Sequence, residues 1–394
     1  ELKLDYLSLL LGEYYGGCEL GLEGSIFTAE HGKSYDLTLR ATHFDLGMLN
    51  RFKENLFMKG FTDVTASLRG PAEDPELTAD ISGVRGKLFG VPFDSFTGLL
   101  AGNLSGLQLK GFSLERDGSE RWIAQGTVGF AGEKKLDLRI DTMKERAENL
   151  VPVIFPQEPP PVTGEFDNVV TITGPVDKPF VTGYLHLYRG SYAGYLLNGM
   201  DGDYTFDGES FGLTDFHVFS PLVDMDLNGR FGKKGEISLT AAVYDVNMER
   251  FDRLLPYPVK GHGRFSGTVT GTVFRPVFDG ELSADRLELN GAAVESFQGN
   301  VHFAGGIISL KPCGFLQNGG RYEADFALNT GTKGIGGGFK VKNADLAGLL
   351  AMAGLPTEQA EGRLDGTITV GGSYDNPAVS VSGTLLKGDI KGQP

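Results

Sequence analysis

The chain has 394 residues, enough for two or three ordinary domains or for one elongated repeat structure. Its 58 glycines are about twice the usual share, while apolar content is ordinary, which excludes a disordered low-complexity chain and implies many turns and bends. A formal charge of -15 argues against nucleic acid, whose phosphates need clustered Lys and Arg, and equally against an anionic membrane surface.

In chain order, residues 1–60 alternate at Leu37, Leu39 and Ala41 and then change period in FDLGMLNRF (Leu46, Leu49, Phe52). That is strand followed by a short amphipathic helix, the end of a truncated repeat. Residues 61–163 open on GPAEDPEL, with Leu68, Gly70, Pro75 and Leu77. Glycine and proline stand five apart, an apolar residue flanks each at a distance of two, and Thr78 and Asp80 take the alternate polar places. Period-two alternation on both flanks predicts two half-buried strands joined by a turn. Further strand pattern runs to Leu136, Leu138 and Ile140, and TMKERAENL (Met143, Ala147, Leu150) predicts the next helix. PQEPPPV (156–162) reads as a prolonged break rather than a domain linker.

The motif returns in 164–260 as Ile172, Gly174, Pro179 and Val181, followed by Leu185, Leu187, Met225, Leu227, Leu239, Ala241 and Val243 and by a helix in VNMERFDRLLP (Phe251, Leu254, Leu255). Residues 261–360 carry it as Val269, Gly271, Pro276 and Phe278, with Val273 closing the first alternating run, then Tyr322, Ala324 and Phe326 and a helix in ADLAGLLAMAGLP (Leu346, Leu349, Leu350). Here Arg275-Pro276 removes a backbone donor, so one continuous strand is not expected through the pair. Residues 361–394 begin a further truncated copy with Val370, Gly372, Pro377 and Val379.

The four prolines are 104, 97 and 101 residues apart. Glycines follow each proline by fifteen residues (Gly90, Gly194, Gly291, Gly392) and the first three by twenty-three (Gly98, Gly202, Gly299), with Phe96, Met200 or Phe297 two residues before the latter. Shared spacing with little shared identity indicates a shared backbone path. The expected fold is all-β: one elongated, repetitive antiparallel sheet curled along its length, with one short amphipathic helix per repeat of about 100 residues and no independent domains. So few helical residues cannot cover the apolar face, which either packs on itself or lines a groove for an apolar ligand. Starting at Glu1 without a methionine and stopping in mid-pattern at Pro394, the chain reads as a piece of something longer.

The G-x4-P hairpin, the glycine-spaced strand after it, the Leu-rich helix before it and strands such as GRFSGTVTG (263–271) together resemble the AsmA-like superfamily, and within it the TamB type. The resemblance spans essentially the whole chain and rests on repeat texture. It implies a taco-shaped β-structure in the periplasm of a double-membraned bacterium, tethered by an inner-membrane anchor outside this segment. It further implies a role in carrying phospholipids to the outer membrane and in assembling outer-membrane barrels with a partner barrel protein of the BamA/TamA type. An acyl chain of sixteen carbons stranded in water is disfavoured by roughly 12 kcal/mol at about 0.8 per CH2, so such a groove must offer a continuous apolar lining. The candidates are Leu68, Leu77, Leu138, Ile140, Ile172, Val181, Leu185, Leu187, Leu227, Leu239, Val269, Val273, Phe278, Tyr322, Phe326, Val370 and Val379. Two other readings stay open: a barrel-assembly factor offering a strand edge by β-augmentation, and a β-solenoid adhesin, against which the helix in every repeat counts.

Chemistry has no candidate. Cys18 and Cys313 match no metal or redox spacing and read as isolated thiols. Six scattered histidines form no metal-ligand pair, and in DGDYTFDGE Phe206 stands where a calcium loop requires glycine, so a solvated hairpin turn is the better reading. GIGGGFK (334–340) and GHGRFSG (261–267) lack phosphate-loop spacing and run into strand pattern. No nucleophile elbow or Ser/His/Asp order stands out, no cofactor motif is present, and LAGLLAMAGLP (346–356) is too short to span a bilayer.

Overall fold

The structure is a computed structural model that describes residues 2–10, 17–29, 32–51, 57–132, 134–154, 161–192, 194–221, 223–232, 234–251, 258–272, 274–357, 360–373 and 375–390. It is all-β and antiparallel, in two units, Glu1–Gly208 and Glu209–Pro394. Unit 1 contains β1 (Leu2–Leu10), β2 (Glu19–Ala29), β3 (Gly32–Asp45), β4 (Lys59–Pro71), β5 (Glu76–Leu88), β6 (Val91–Asn103), β7 (Gly106–Arg116), β8 (Ser119–Gly129), β9 (Lys135–Arg146), β10 (Val162–Pro175), β11 (Phe180–Tyr192), β12 (Tyr195–Leu197) and β13 (Gly199–Phe206), with a 3₁₀ turn at Leu46–Arg51 and α1 at Ala147–Ile154. Unit 2 contains β14 (Ser210–Phe219), β15 (Val223–Gly232), β16 (Glu236–Asn247), β17 (Val259–Thr272), β18 (Arg275–Leu289), β19 (Ala292–Ala304), β20 (Ile307–Gln317), β21 (Gly320–Asn329), β22 (Ile335–Asp345), β23 (Ala360–Ser373) and β24 (Asn376–Ile390), with a 3₁₀ turn at Met248–Phe251 and α2 at Leu346–Met352. Within each unit successive strands pair, except that β13 pairs with β11 beside the short β12, and among the described residues no ladder joins the first and last strands of either unit, so neither closes into a barrel.

The glycine–proline motif is the same hairpin four times. Leu68 faces Leu77, Ile172 faces Val181, Val269 faces Phe278 and Val370 faces Val379. Gly70, Gly174, Gly271 and Gly372 hold φ of 100°, 92°, 90° and 91°, a region that L side chains avoid. The turns close in two chemical ways. Asp74 and Lys178 donate their N–H to the carbonyls of Pro71 and Pro175, whereas Arg275 and Asn376 donate to the hydroxyls of Thr272 and Ser373. Pro75 and Pro179 lie in the loops, but Pro276 and Pro377 are the second residues of β18 and β24. The break expected at Arg275-Pro276 therefore falls earlier, between Thr272 and Arg275, and Pro276 pairs opposite Gly271.

Each predicted helix has a counterpart, two of them only 3₁₀ turns. Met143 is a correction: it lies in β9, not in a helix. Phe52, Leu254, Leu255, Gly392 and most of PQEPPPV lie outside the described residues. Three helical segments are launched by one device. His43, Lys144 and Asn343 sit at bulges with φ of 59°, 44° and 52°, and each N–H is accepted by an Asp of the next strand, Asp63 (2.8 Å), Asp167 (2.7 Å) or Asp365 (2.6 Å). A charge-assisted bond of about 1.5–3 kcal/mol offsets a left-handed conformation that costs about 1–2. The helical segment begins three residues later in each case. In the remaining repeat the acceptor position holds Arg264, and neither Tyr244 nor Asp245 has positive φ.

Candidate functional site

Residues facing each other across antiparallel strands project to the same side, so the registers define which side chains share a face. In unit 1 one inward row runs Leu39–Ala66–Ala79–Leu100–Leu109–Gly126–Leu138–Ile172–Val181–Phe206. Beside it runs Ala41–Val64–Ile81–Gly98–Phe112–Ala124–Ile140–Val170–Gly183–Tyr204. Unit 2 has the matching row Leu227–Ala241–Gly267–Gly280–Val301–Leu310–Phe326–Gly337–Val370–Val379. The opposite face is mainly polar, with cross-strand neighbours such as Ser67 and Thr78, or Asp279 and His302, and carries a few exposed apolar residues such as Leu99 and Ile123.

Every candidate lining residue within the described range belongs to this inward face; Val273 lies outside that range. Burial is graded across the face. Toward the helical segments it is a filled core: Phe93, Phe96 and Leu114 under Leu46, and Phe166 and Leu187 beside Ala147. In unit 2, Val294, Tyr322, Val341 and Leu364 pack with Met352 of α2, which joins strands five apart in sequence order, from β18 to β23. Five strand spacings of a flat sheet would be about 24 Å, so the sheet must curl for one cluster to hold both. Toward the glycine–proline hairpins most inward residues, among them Leu68, Leu77, Leu138, Ile172, Val181 and Val269, are only half-buried. Burial on the inward face is thus uneven, complete beneath the helical segments and partial beside the hairpins.

Aromatic rings lie flat over cross-strand glycines on this face. A Cβ at Gly83 would fall 2.3 Å from Phe96, at Gly183 2.4 Å from Tyr204 and at Gly280 2.8 Å from Phe265. Glycine there lets a ring cover the backbone instead of standing up from it, which keeps the lining shallow.

The filled side contains buried polar residues that sequence reading missed. Glu145 is fully buried and accepts from Arg116, from Trp122 Nε1 (2.8 Å), from Asn149 (3.2 Å) and from the N–H of Arg146 (2.7 Å). Burial raises its pKa, but the bonds from Trp122, Arg116 and Arg146 outweigh that and hold the carboxyl below the ordinary carboxylate value. Arg116, Ser220 and Gln317 are all buried, and each lies 41 residues after its repeat's proline. Gln317 accepts from the hydroxyl of Tyr322 (2.9 Å) beneath α2. The spacing was available in the sequence; the unlike side chains hid it.

Both thiols are buried, and burial, with Asp325 nearby, pushes Cys313 up to about 11, which leaves almost no thiolate at neutral pH. His217, His262 and His302 each pair through Nδ1 with an Asp of a neighbouring strand on the polar face. Among the described residues no group of three His, Cys, Asp or Glu side chains converges to hold a metal ion, and no helix is long and apolar enough to cross a membrane. No family model, no curated protein and no solved structure matches the chain.

Proposed function

We propose that the inward face is a surface for phospholipid acyl chains, and that the chain is a segment of a TamB-type bridge of the AsmA-like superfamily. In this reading it conducts phospholipids between inner and outer membranes in the periplasm, with an inner-membrane anchor outside this segment and an outer-membrane barrel of the BamA/TamA type as partner. The observation that supports it is the run of inward rows that continue strand after strand, uncharged, yet remain half-buried beside the hairpins. Rows two residues apart are about 6.7 Å apart, so three make a strip of roughly 13–20 Å, wide enough for two hydrocarbon chains in contact. A surface of many weak contacts lowers the aqueous barrier without holding a lipid at one place, so no residue need act as a catalyst.

The test replaces Leu138, Ile172 and Val181 together by Glu. Labelling of the inward face by a photoreactive phospholipid in vesicles, and outer-membrane integrity in cells carrying the full protein, should both be lost while the chain stays folded. Unchanged labelling in the folded triple variant refutes the proposal.

A further inference from the structure

The four hairpins align the repeats residue by residue, which isolates one place where the second repeat departs from the others. Along the inward face of unit 1, Thr142 faces Asn168, and Asn168 faces Leu185. The first pair corresponds to Ala41 and Val64 one repeat earlier, and to Val243 with Phe265 and Val341 with Gly366 in unit 2. One strand beyond Leu185, Tyr204 stands where the other complete repeats have Leu100 and Val301. Three neighbouring polar residues thus replace apolar ones where the repeat 61–163 meets the repeat 164–260. Two of them are bonded: the Asn168 amide nitrogen and oxygen lie 3.0 and 3.2 Å from the Tyr204 hydroxyl.

The contact depends on Gly183. Tyr204 pairs opposite Gly183, and its ring crosses that glycine to reach Asn168 on β10. An added Cβ would come within 2.4 Å of the ring and 2.5 Å of the hydroxyl.

We infer that Asn168 and Tyr204 form a polar crossbar in the apolar strip that holds the ester carbonyl of a glycerolipid. This rests on the lipid reading above and adds to it a position and a chemical class. Asn168 has two N–H donors, and the bond to Tyr204 uses at most one, leaving a donor for an acceptor such as a carbonyl. Asn168 and Tyr204 are half-buried, so the donor is neither sealed in the core nor fully solvated. Purely apolar rows offer an acyl chain no fixed stopping point; one hydrogen bond at the crossbar would place the glycerol region of a lipid over β10 to β13, with its chains on the flanking rows. The exclusively apolar equivalents in the other repeats offer no such place.

The experiment compares phosphatidylcholine in vesicles with its dialkyl ether analogue of the same head group and chain length, each competing against a photoreactive phospholipid for the inward face. In the unaltered chain the ester lipid should compete better by about fivefold, the worth of one neutral hydrogen bond. In N168V/Y204L, which copies Val64 and Leu100 of the neighbouring repeat, labelling should persist and the preference fall to about one. G183A, which displaces the ring without removing either polar group, should also lose the preference. Equal ester and ether competition in the unaltered chain, or an unchanged preference in both variants, overturns the crossbar and leaves the lipid reading standing. No labelling of the unaltered chain overturns the lipid reading itself, and the crossbar with it.

Discussion

Removing Glu145 should damage unit 1 more than removing Glu145 and Arg116 together. Both groups lie in the filled side of the sheet, Arg116 at 8% exposure and Glu145 at 0%, and the carboxylate is the strongest acceptor the guanidinium has. Without it Arg116 keeps, among the described residues, the Pro92 carbonyl at 3.4 Å and a contact of 3.9 Å with exposed Asp117. A buried charge left uncompensated costs about 3–5 kcal/mol, whereas replacing both members by apolar groups is often neutral. For a unit of this size that is roughly 6–20 °C in melting temperature for E145M and little for E145M/R116M. Thermal unfolding followed by hydrogen exchange in both units is the assay, with the loss confined to residues before Gly208. Acid sharpens the test. The folded pKa of Glu145 lies below its unfolded value, so its stabilisation is fully present above the unfolded pKa and is lost as pH falls through the folded one. E145M should flatten that acid limb. A single variant no worse than the double, or an acid limb unchanged in E145M, would refute the account of Glu145 as the counter-charge that permits Arg116 to be buried.

Asp365→Ala should free the Asn343 N–H, speed its hydrogen exchange and loosen α2, at about 1.5–3 kcal/mol, because that amide has the Asp365 carboxylate as acceptor at 2.6 Å. Gly271→Ala should destabilise the β17–β18 hairpin by at least about 1–2 kcal/mol, since φ there is 90° and the new Cβ would meet the Arg275 carbonyl at 2.5 Å; chemical unfolding should show it in unit 2. Cys313 should resist thiol reagents at pH 8 in the native chain and react on unfolding, its thiolate being scarcer by roughly two orders of magnitude than that of an ordinary cysteine.

The hairpins were legible in the sequence because their requirement is strict: at φ near 90° glycine is the residue that fits, so Gly70, Gly174, Gly271 and Gly372 survive while their neighbours vary. The same holds for Gly90, Gly194 and Gly291, whose φ of 84°, 83° and 85° mark the next turn. Helix positions were less legible for a geometric reason. The bulge at Lys144 inserts one residue into β9, so Met143 and Ala147 acquire a helix-like spacing although Met143 is still strand. Nothing in the local sequence singles out Asp63, Asp167 and Asp365, because their target is a backbone N–H of an adjacent strand about twenty residues earlier. The crossbar of Asn168 and Tyr204 was invisible for the same reason, being 36 residues apart and joined only by register.

Graded burial also explains why the repeats share spacing but little identity. Where the helical segments pack, a side chain must fit its neighbours, and losing one large group leaves a cavity costing about 2–5 kcal/mol. Along the hairpin side the lining is half-solvated, so exchanging Leu for Ile, Val or Phe changes only the area offered to an apolar ligand, at about 25 cal/mol per Å2. The proposed function needs that side to be apolar and continuous, with no single position decisive. A single charge there perturbs one step among many, whereas a row of charges interrupts the strip. Variation that would unfold a close-packed core is therefore compatible with an apolar track, and the constraint falls on which face a residue occupies, which the glycine-set register of the hairpins determines.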